Sequence, residues 1–569
     1  MNHILLRSKH EVDPDEIFID SKNLPSFDTD RFEGRIEQAL SKHAVRFFSI
    51  VCILAGCFYL GRIFYLQGYR GESFALRSQD NSLQQVPLYA ERGTISDRND
   101  VLLAWNESDG TRVYKPIEGI SNTVGHLGLP TPEEVITDAS INPNHLIGKD
   151  GVEQSYNKTL EGVAGVRLEE HDAHNVPISE SIQIFPRKGT NLKMTIDVEV
   201  QEKLYKLIRA TAEEKGFTGG AGGIMNVRTG ELLALVTYPE YKITLFASST
   251  PSALRAATLN NPRTPFLNRA TSGLYAPGSI VKPFMAIAAL AEQVITPEKK
   301  ILSTGSISIP NPYDKTKETL FKDWQAQGWV NMRQALAVSS DVYFYEVGGG
   351  YKDQPGIGIN AINRYMRLFG LGGKTGVDLW GEEDGNIPSP AWKEKYFNGE
   401  QWYIGDTYHT AIGQYGFQVT PLQMIRAISA IATRGTLVRP HIAFSPDATE
   451  TIKVNTSVTL DFPEEYYTVV QEGMRESVRT GTATGLAIPG FPIAGKTGTA
   501  ELGFTKQSVN SWVEGFFPYN NPRYAFALVM EKGPLHNPVG ATYVMRQFID
   551  WLIETKPEYT KPLVGNTRI

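Results

Sequence analysis

The chain has 569 residues, too many for one core, and should divide into two or three domains. Hydrophobic residues at 41% and charged residues at 21% exclude a disordered chain, and a net charge of −6 gives no basis for nucleic-acid binding. The two cysteines, Cys52 and Cys57, lie in the most apolar stretch, which suits an oxidising exterior as well as it suits a reduced one.

Residues 1–43 are acidic, poor in aromatics and only weakly amphipathic around Arg31 to Leu40; they read as a flexible cytoplasmic tail. Residues 44–66 follow as an apolar span with an uncharged centre from Phe47 to Gly61. Such a centre covers about 22 Å of helix against roughly 30 Å of hydrocarbon. Arg46 and Arg62 must therefore snorkel outward, and Ile63 to Leu66 must extend the span. We expect one uncleaved membrane anchor. Leu54-Ala55-Gly56-Cys57 matches a lipoprotein cleavage pattern, but a long mixed-charge tail precedes it and the apolar run continues through Phe58, Tyr59 and Leu60. Basic flanks barely favour one orientation, so the tail is placed in the cytoplasm mainly on the chemistry below.

Residues 67–195 alternate short apolar runs with Gly, Pro, Asn and Asp turns, the pattern of a β-rich, irregular region without catalytic signals. From 196 the spacing turns helical: Val200, Leu204, Leu207 and Ile208 recur on one face, with Asp197 as N-cap and Gly216 as terminator. This helix is a candidate hinge between domains. Two strands joined at Arg228-Thr229-Gly230 come next, then a helical block from about Ser279 to Gly416. Strands return at Phe491 to Ala494, Trp512 to Phe517 and Tyr524 to Met530, and a helix covers about Val544 to Glu554. The order predicts an α+β fold over 196–569, an antiparallel sheet flanked by helices with a helical subdomain inserted.

Three short patterns carry the chemistry. Ser279-Ile280-Val281-Lys282 follows the turn Tyr275-Ala276-Pro277-Gly278, which places Ser279 at a helix start and Lys282 on the same face. Burial and the helix N-terminus both oppose a protonated amine there, so Lys282 can act as general base for a Ser279 nucleophile. Pro283 should bend the first turn. Ser155-Tyr156-Asn157-Lys158 has the same spacing without the Pro-Gly turn and is set aside. In Ser339-Ser340-Asp341, within a buried loop between helices, Ser339 can pass the proton to the leaving amine. Lys496-Thr497-Gly498-Thr499 continues a strand: Gly498 lets a substrate backbone approach, while Lys496, Thr497 and Thr499 bind a carboxylate. The N–H groups of Ser279 and Thr499 would form an oxyanion hole, about 3–4 kcal/mol per donor. Ser508-Val509-Asn510 reads as a polar loop, and Lys374-Thr375-Gly376 as a structural turn.

With these motifs the chain resembles a class B penicillin-binding protein of the elongation type. The resemblance also rests on Arg92 to Asn99, Gly151 to Tyr156, Asn268-Arg269-Ala270, Thr420 to Gln423 and Gly481-Thr482-Ala483. Asp341, the aromatics Tyr343 to Tyr345, and Trp402 to Asp406 favour the elongation over the septal type. The resemblance implies a penicillin-binding, serine β-lactamase-like transpeptidase domain over 196–569, an elongated pedestal over 67–195, and periplasmic placement in a bacterial cytoplasmic membrane. It implies peptidoglycan D,D-transpeptidation on stem peptides, acylation by β-lactams, and partnership with a glycosyltransferase of the SEDS type and other elongation proteins. No cofactor is implied.

Two departures stand out. Asp100 replaces a usual glycine, altering a turn. Asp341, which the resemblance places among the substrate-binding residues, stands where many relatives have asparagine; ionised, it cannot donate to a substrate carbonyl, and it can instead pair with Lys282 or Lys496. Some relatives carry zinc near this motif, but residues 311–341 offer Asp314 and Asp323 without His or Cys, so no metal is expected. Glu170-His171-Asp172-Ala173-His174 reads as a solvated loop. A β-lactam sensor or a non-catalytic activator of a glycosyltransferase are the competing functions.

Overall fold

The computed structural model describes residues 41–75, 83–171, 176–246, 252–444, 457–503, 507–535, 537 and 539–561. The expected tail lies almost wholly outside them, as do Asp172, Ala173 and His174. The chain forms two compact units, residues 1–86 with 168–181, and residues 87–167 with 182–569.

In the first unit, helix α1 (Lys42–Phe64) starts at Ser41, whose hydroxyl accepts the Ala44 N–H at 3.1 Å, and buries none of its side chains. A π-helical turn, Tyr65–Tyr69, prolongs it to a 28-residue apolar run, about 40 Å and long enough to cross a membrane. The charges at Arg46 and Arg62 lie inside the helix instead of ending it, so the span is longer than its uncharged centre suggests. Residues 83–86, 168–171 and 177–181 of this unit lie in strands that pair in that order as a small sheet.

The second unit opens with a four-stranded sheet ordered Arg112–Tyr114, Leu102–Asn106, Ile95–Ser96 and Leu192–Lys193. The stretch Arg92 to Asn99 is a structural staple. Asp97 accepts the N–H groups of Asn99 and Val101 on one oxygen, both at 2.8 Å, and that of Val198 on the other. Asp100 sits at φ +64°, the left-handed conformation that glycine adopts at least cost, and its carboxylate pairs with Lys193 at 2.6 Å.

The motif at Gly151 to Tyr156 is likewise structural. Fully buried Glu153 accepts from Arg92 Nε at 2.7 Å and Arg112 Nε at 2.8 Å, with the Tyr114 hydroxyl at 3.3 Å. Removing the carboxylate would leave two guanidinium groups buried without their counter-charge. Glu153→Ala is therefore expected to lower the unfolding free energy by about 3–5 kcal/mol, read as a reduced urea midpoint. Unchanged stability would mean these arginines re-solvate freely.

Asp197 caps helix α2 (Val198–Lys215), accepting from the Glu199 and Val200 N–H groups, and Gly216 ends it at φ +78°. Both ends fall where the sequence placed them. The helix is not a hinge: Val200, Leu204 and Ile208 pack into the core on one side of the central sheet.

That sheet comprises β1 (Gly219–Asn226), β2 (Leu232–Tyr238), β3 (Ala494–Leu502), β4 (Ser508–Phe517) and β5 (Tyr524–Pro534), ordered β2-β1-β5-β4-β3 and antiparallel throughout. Alternation along β4 sorts its two faces. Trp512 and Phe516 join a core with α3 (Lys282–Ala291), α4 (Met332–Val338), α5 (Asp341–Gly349), α6 (Pro421–Ala432) and α7 (Glu464–Arg479). Val513 and Phe517 face α2 and α8 (Ala541–Thr555).

Three local expectations change. β3 begins at Ala494 rather than Phe491, because Pro492 has no N–H for a ladder. Ser508-Val509-Asn510 is strand, paired with Leu502 to Ala500, not a loop. The expected helical block contains four short strands, Ile301–Ser303, Ser306–Pro310, Glu318–Lys322 and Gly328–Val330, in two antiparallel pairs.

Candidate active site

Ser279 lies in a 3-10 turn, Gly278–Val281, that passes directly into α3. Pro283 bends nothing: the α-helix starts at Lys282, so the missing N–H belongs to a first turn that has no partner anyway. The turn is fixed by Gly278, at φ +58°, whose N–H donates to the Gly413 carbonyl at 3.0 Å, and by Trp512 Nε1, which donates to the Ala276 carbonyl at 3.0 Å. Ser279 is half-buried; Lys282 is fully buried.

Edge strand β3 runs alongside this turn. A Cβ on Gly498 would lie 2.9 Å from the Pro277 carbonyl oxygen and 3.0 Å from Ile280 Cγ2, and one on Gly278 would lie 3.0 Å from the Thr499 carbonyl oxygen. Any side chain at 498 would push the strand off the Ser279 turn. The glycine thus serves the packing of strand on turn, where substrate approach was expected.

Ser339 ends α4 in the left-handed conformation, φ +59°, and Ser340 caps α5, its hydroxyl accepting the Tyr343 N–H. The two-residue link between helices is held by Asp323. One Asp323 oxygen accepts from Ser303 Oγ at 3.0 Å, Ser340 Oγ at 2.8 Å and the Val342 N–H at 3.1 Å. A non-glycine residue at positive φ costs on the order of 1 kcal/mol, and this clamp offsets it. Asp323 entered the sequence analysis only as a metal-ligand candidate; no signal in the sequence tied it to Ser340.

The three motifs meet at the Ser339 hydroxyl. Lys282 Nζ donates to it at 3.3 Å, to the Ser339 carbonyl at 2.8 Å and to Asp341 Oδ1 at 2.6 Å. Lys496 Nζ donates to the same hydroxyl at 2.8 Å and to the Thr497 carbonyl at 2.8 Å. Of the two partners open to Asp341, Lys282 is the one it takes. Three acceptors around Lys282 match the three hydrogens of an ammonium, leaving none directed at Ser279. Lys496 is wholly buried; burial first, and then the Lys282 charge, push its ammonium well below the usual lysine range. Thr497 donates to the Thr482 hydroxyl at 2.7 Å, and Thr482 hangs from the Ala337 carbonyl on α4, which gives Gly481-Thr482-Ala483 its place. Thr499 is exposed on β3.

Residues outside this cluster separate cleanly. Ser155 donates to the Gly151 carbonyl and accepts from the Trp380 N–H, a structural arrangement. Thr375 and Gly376 give their N–H groups to Glu382, closing a turn. Among the described residues no group of His, Cys, Asp and Glu could hold a metal ion.

The family model described as the penicillin binding protein transpeptidase domain matches residues 220–546, and the penicillin-binding protein dimerisation domain matches 107–194. The peptidoglycan D,D-transpeptidase MrdA of Acinetobacter baumannii is 30% identical over 477 residues, 80% of this chain and 68% of that protein. MrdA of Escherichia coli K12 is 31% identical over 431 residues, 72% of this chain and 65% of its own length. Among solved structures, PBP2 of Pseudomonas aeruginosa bound to WCK 5153 superposes with a TM-score of 0.67 at 30% identity, covering 84% of this chain and 100% of that one. PBP2 of Helicobacter pylori in its complex with MreC gives 0.70 at 25% identity, covering 84% and 99%. The chain belongs to the penicillin-binding protein transpeptidases, in the class B branch of PBP2 (MrdA) peptidoglycan D,D-transpeptidases.

Proposed function

We propose that Ser279 is the acylated nucleophile of this transpeptidase, that Lys282 is its base and Ser339 its proton relay, and that Lys496, Thr497 and Thr499 receive the terminal carboxylate of the donor stem peptide. The observation that carries the assignment is the meeting of Lys282 and Lys496 on one Ser339 hydroxyl, beside a turn that β3 touches at Gly498.

In the first step the Ser279 oxygen bonds to the carbonyl carbon of the penultimate D-alanine. The Ser279 proton passes to Lys282 and, through Ser339, to the nitrogen of the departing D-alanine as the peptide C–N bond breaks. The N–H groups of Ser279 and Thr499 hold the negative oxygen. In the second step an acceptor amine attacks the ester carbonyl, a new amide bond forms as the ester C–O bond breaks, and a proton given up by that amine passes to the Ser279 oxygen. Lys282 can act only after giving up a proton. Asp341, already paired with it, is placed to stabilise the ammonium that each proton transfer regenerates, rather than to contact the donor's amide.

Residues 1–43 are proposed as the cytoplasmic tail, 44–66 as the anchor in the bacterial cytoplasmic membrane, 67–195 as the pedestal and 196–569 as the periplasmic transpeptidase domain. The apolar, fully exposed α1 supports the anchor. The MreC complex of the Helicobacter pylori relative supports a place in an elongation assembly, with a SEDS-type glycosyltransferase as the partner that supplies glycan strands.

The test is mass spectrometry of the acylated peptide after treating intact cells with a membrane-impermeant penicillin. The adduct is expected on the peptide containing Ser279. An adduct on another serine overturns the nucleophile, and labelling that requires broken cells overturns the external placement.

A further inference from the structure

Glu514 lies within β4 directly across from Lys496 on β3, so the two side chains leave the same face of the sheet. Its carboxyl group is wholly buried, and neither oxygen has a hydrogen-bond partner among the described residues. Nothing in the acyl-transfer chemistry described above uses it. Its other strand neighbour is Ala527. Lys496 is the charged group that acts on it, while Lys282 and Asp341 act on Lys496 from α3 and α5. On the helices over this face the other buried polar side chains include Gln423, Ser429, Gln471, Ser477 and Tyr343, the last two with hydroxyls that are likewise unpartnered among the described residues, and Arg475 of α7 donates to the Ile493 carbonyl instead.

An isolated carboxylate in such a place would carry a desolvation cost of several kcal/mol, which favours the neutral acid. Burial indeed pushes the Glu514 carboxyl well above the usual range. The hydrogen bonds of Lys496 agree: two donations, to Ser339 Oγ and to the Thr497 carbonyl, are what a neutral amine with two hydrogens makes, and they leave a lone pair. Lys282, by contrast, has three acceptors and pairs with Asp341. A neutral acid and a neutral amine on facing strands, beside that ion pair, satisfy all of these contacts.

We propose that Glu514 stores the proton that turns Lys496 into the carboxylate-binding ammonium when substrate docks. On docking, the Glu514 carboxyl turns to Lys496, with which it makes no hydrogen bond at rest; its O–H bond then breaks, a third N–H bond forms on Lys496, and no proton is drawn from solvent. The substrate carboxylate in front and the Glu514 carboxylate behind then share the charge of Lys496. In the free enzyme the neutral pair avoids repulsion between Lys496 and Lys282. Glu514 is thus a positioning residue that acts through Lys496. The inference rests on the reading of Lys496 as the carboxylate binder.

The experiment compares the second-order rate constant for acylation by benzylpenicillin in the wild type and Glu514→Gln from about pH 6 to about pH 9. Glutamine keeps the shape and neutrality of the stored acid but has no proton to give. The variant must then protonate Lys496 from solvent, so its deficit should widen toward about tenfold per pH unit at the alkaline end. A constant deficit across the range would make Glu514 merely structural and overturn the proposal. If the variant does not fold, the wild type decides alone. Its infrared difference spectrum on acylation should lose a protonated-carboxyl band that shifts in heavy water, and retention of that band overturns the proposal. Fluorescent-penicillin labelling of the wild type, followed in parallel, reports on the acyl-enzyme reading separately.

Discussion

Replacing Ser279 with alanine is expected to abolish labelling by fluorescent penicillin while leaving the fold intact. The turn around it is held by backbone and neighbouring groups: Gly278 N–H to the Gly413 carbonyl, the Lys282 N–H to the Ser279 carbonyl, and Trp512 to the Ala276 carbonyl. None of these needs the hydroxyl, and alanine suits a helical turn. Acylation, in contrast, has no other nucleophile in the cluster whose displacement would give a stable ester. Ser339 is engaged by both lysines, and Ser155 is bound into a turn through the Gly151 carbonyl. The loss should approach that seen when a serine acyl-enzyme loses its nucleophile, roughly six orders of magnitude. Gel fluorescence of the purified full chain, with a thermal melt as the control for folding, reads it out. Labelling that persists in a folded Ser279→Ala protein would remove Ser279 from the mechanism.

What the sequence made legible follows the range of the interactions involved. Local signals were reliable: Asp197 and Gly216 bound α2, the Pro277-Gly278 turn leads into the 3-10 turn of Ser279, and Arg228-Thr229-Gly230 joined β1 to β2. The three motifs could be picked out because their residue types and order suggest acyl-transfer chemistry even before folding. Groups whose role depends on strand pairing or on a clamp between distant loops were not found. Glu514 interrupts the apolar run Trp512 to Phe517, and that lone acid was a signal, but its position opposite Lys496 is fixed only by the β3–β4 register. Asp323 precedes Ser340 by a stretch of strand and helix, and its three acceptor bonds appear only when those elements fold back together. The hinge assigned to α2 failed for the opposite reason. An amphipathic helix at a change of periodicity looks the same whether it joins two bodies or covers a sheet, and the apolar face of α2 covers the sheet.

Lys282→Met carries the second large effect, and its partner Asp341 makes the result diagnostic. Methionine fills most of the volume of the buried lysine stem but removes the amine proposed to take the Ser279 proton. Loss of a positioned general base costs about 10²–10⁴-fold. The upper end is expected here, because Ser339 would also lose one of the two lysines that orient its hydroxyl and Asp341 would lose its counter-ion. If Asp341 mattered only as that counter-ion, Asp341→Asn should be mild. An amide oxygen can still accept from Lys282, and the Ser340 cap and the Asp323 clamp remain. Acylation by benzylpenicillin is therefore expected to stay within about tenfold of wild type in Asp341→Asn, and to fall by about 10³-fold or more in Lys282→Met. Measuring both with the same penicillin separates the roles. An Asp341→Asn protein as crippled as Lys282→Met would show that the carboxylate itself takes part in moving the proton, and the base would then be the Lys282–Asp341 pair rather than the lysine alone.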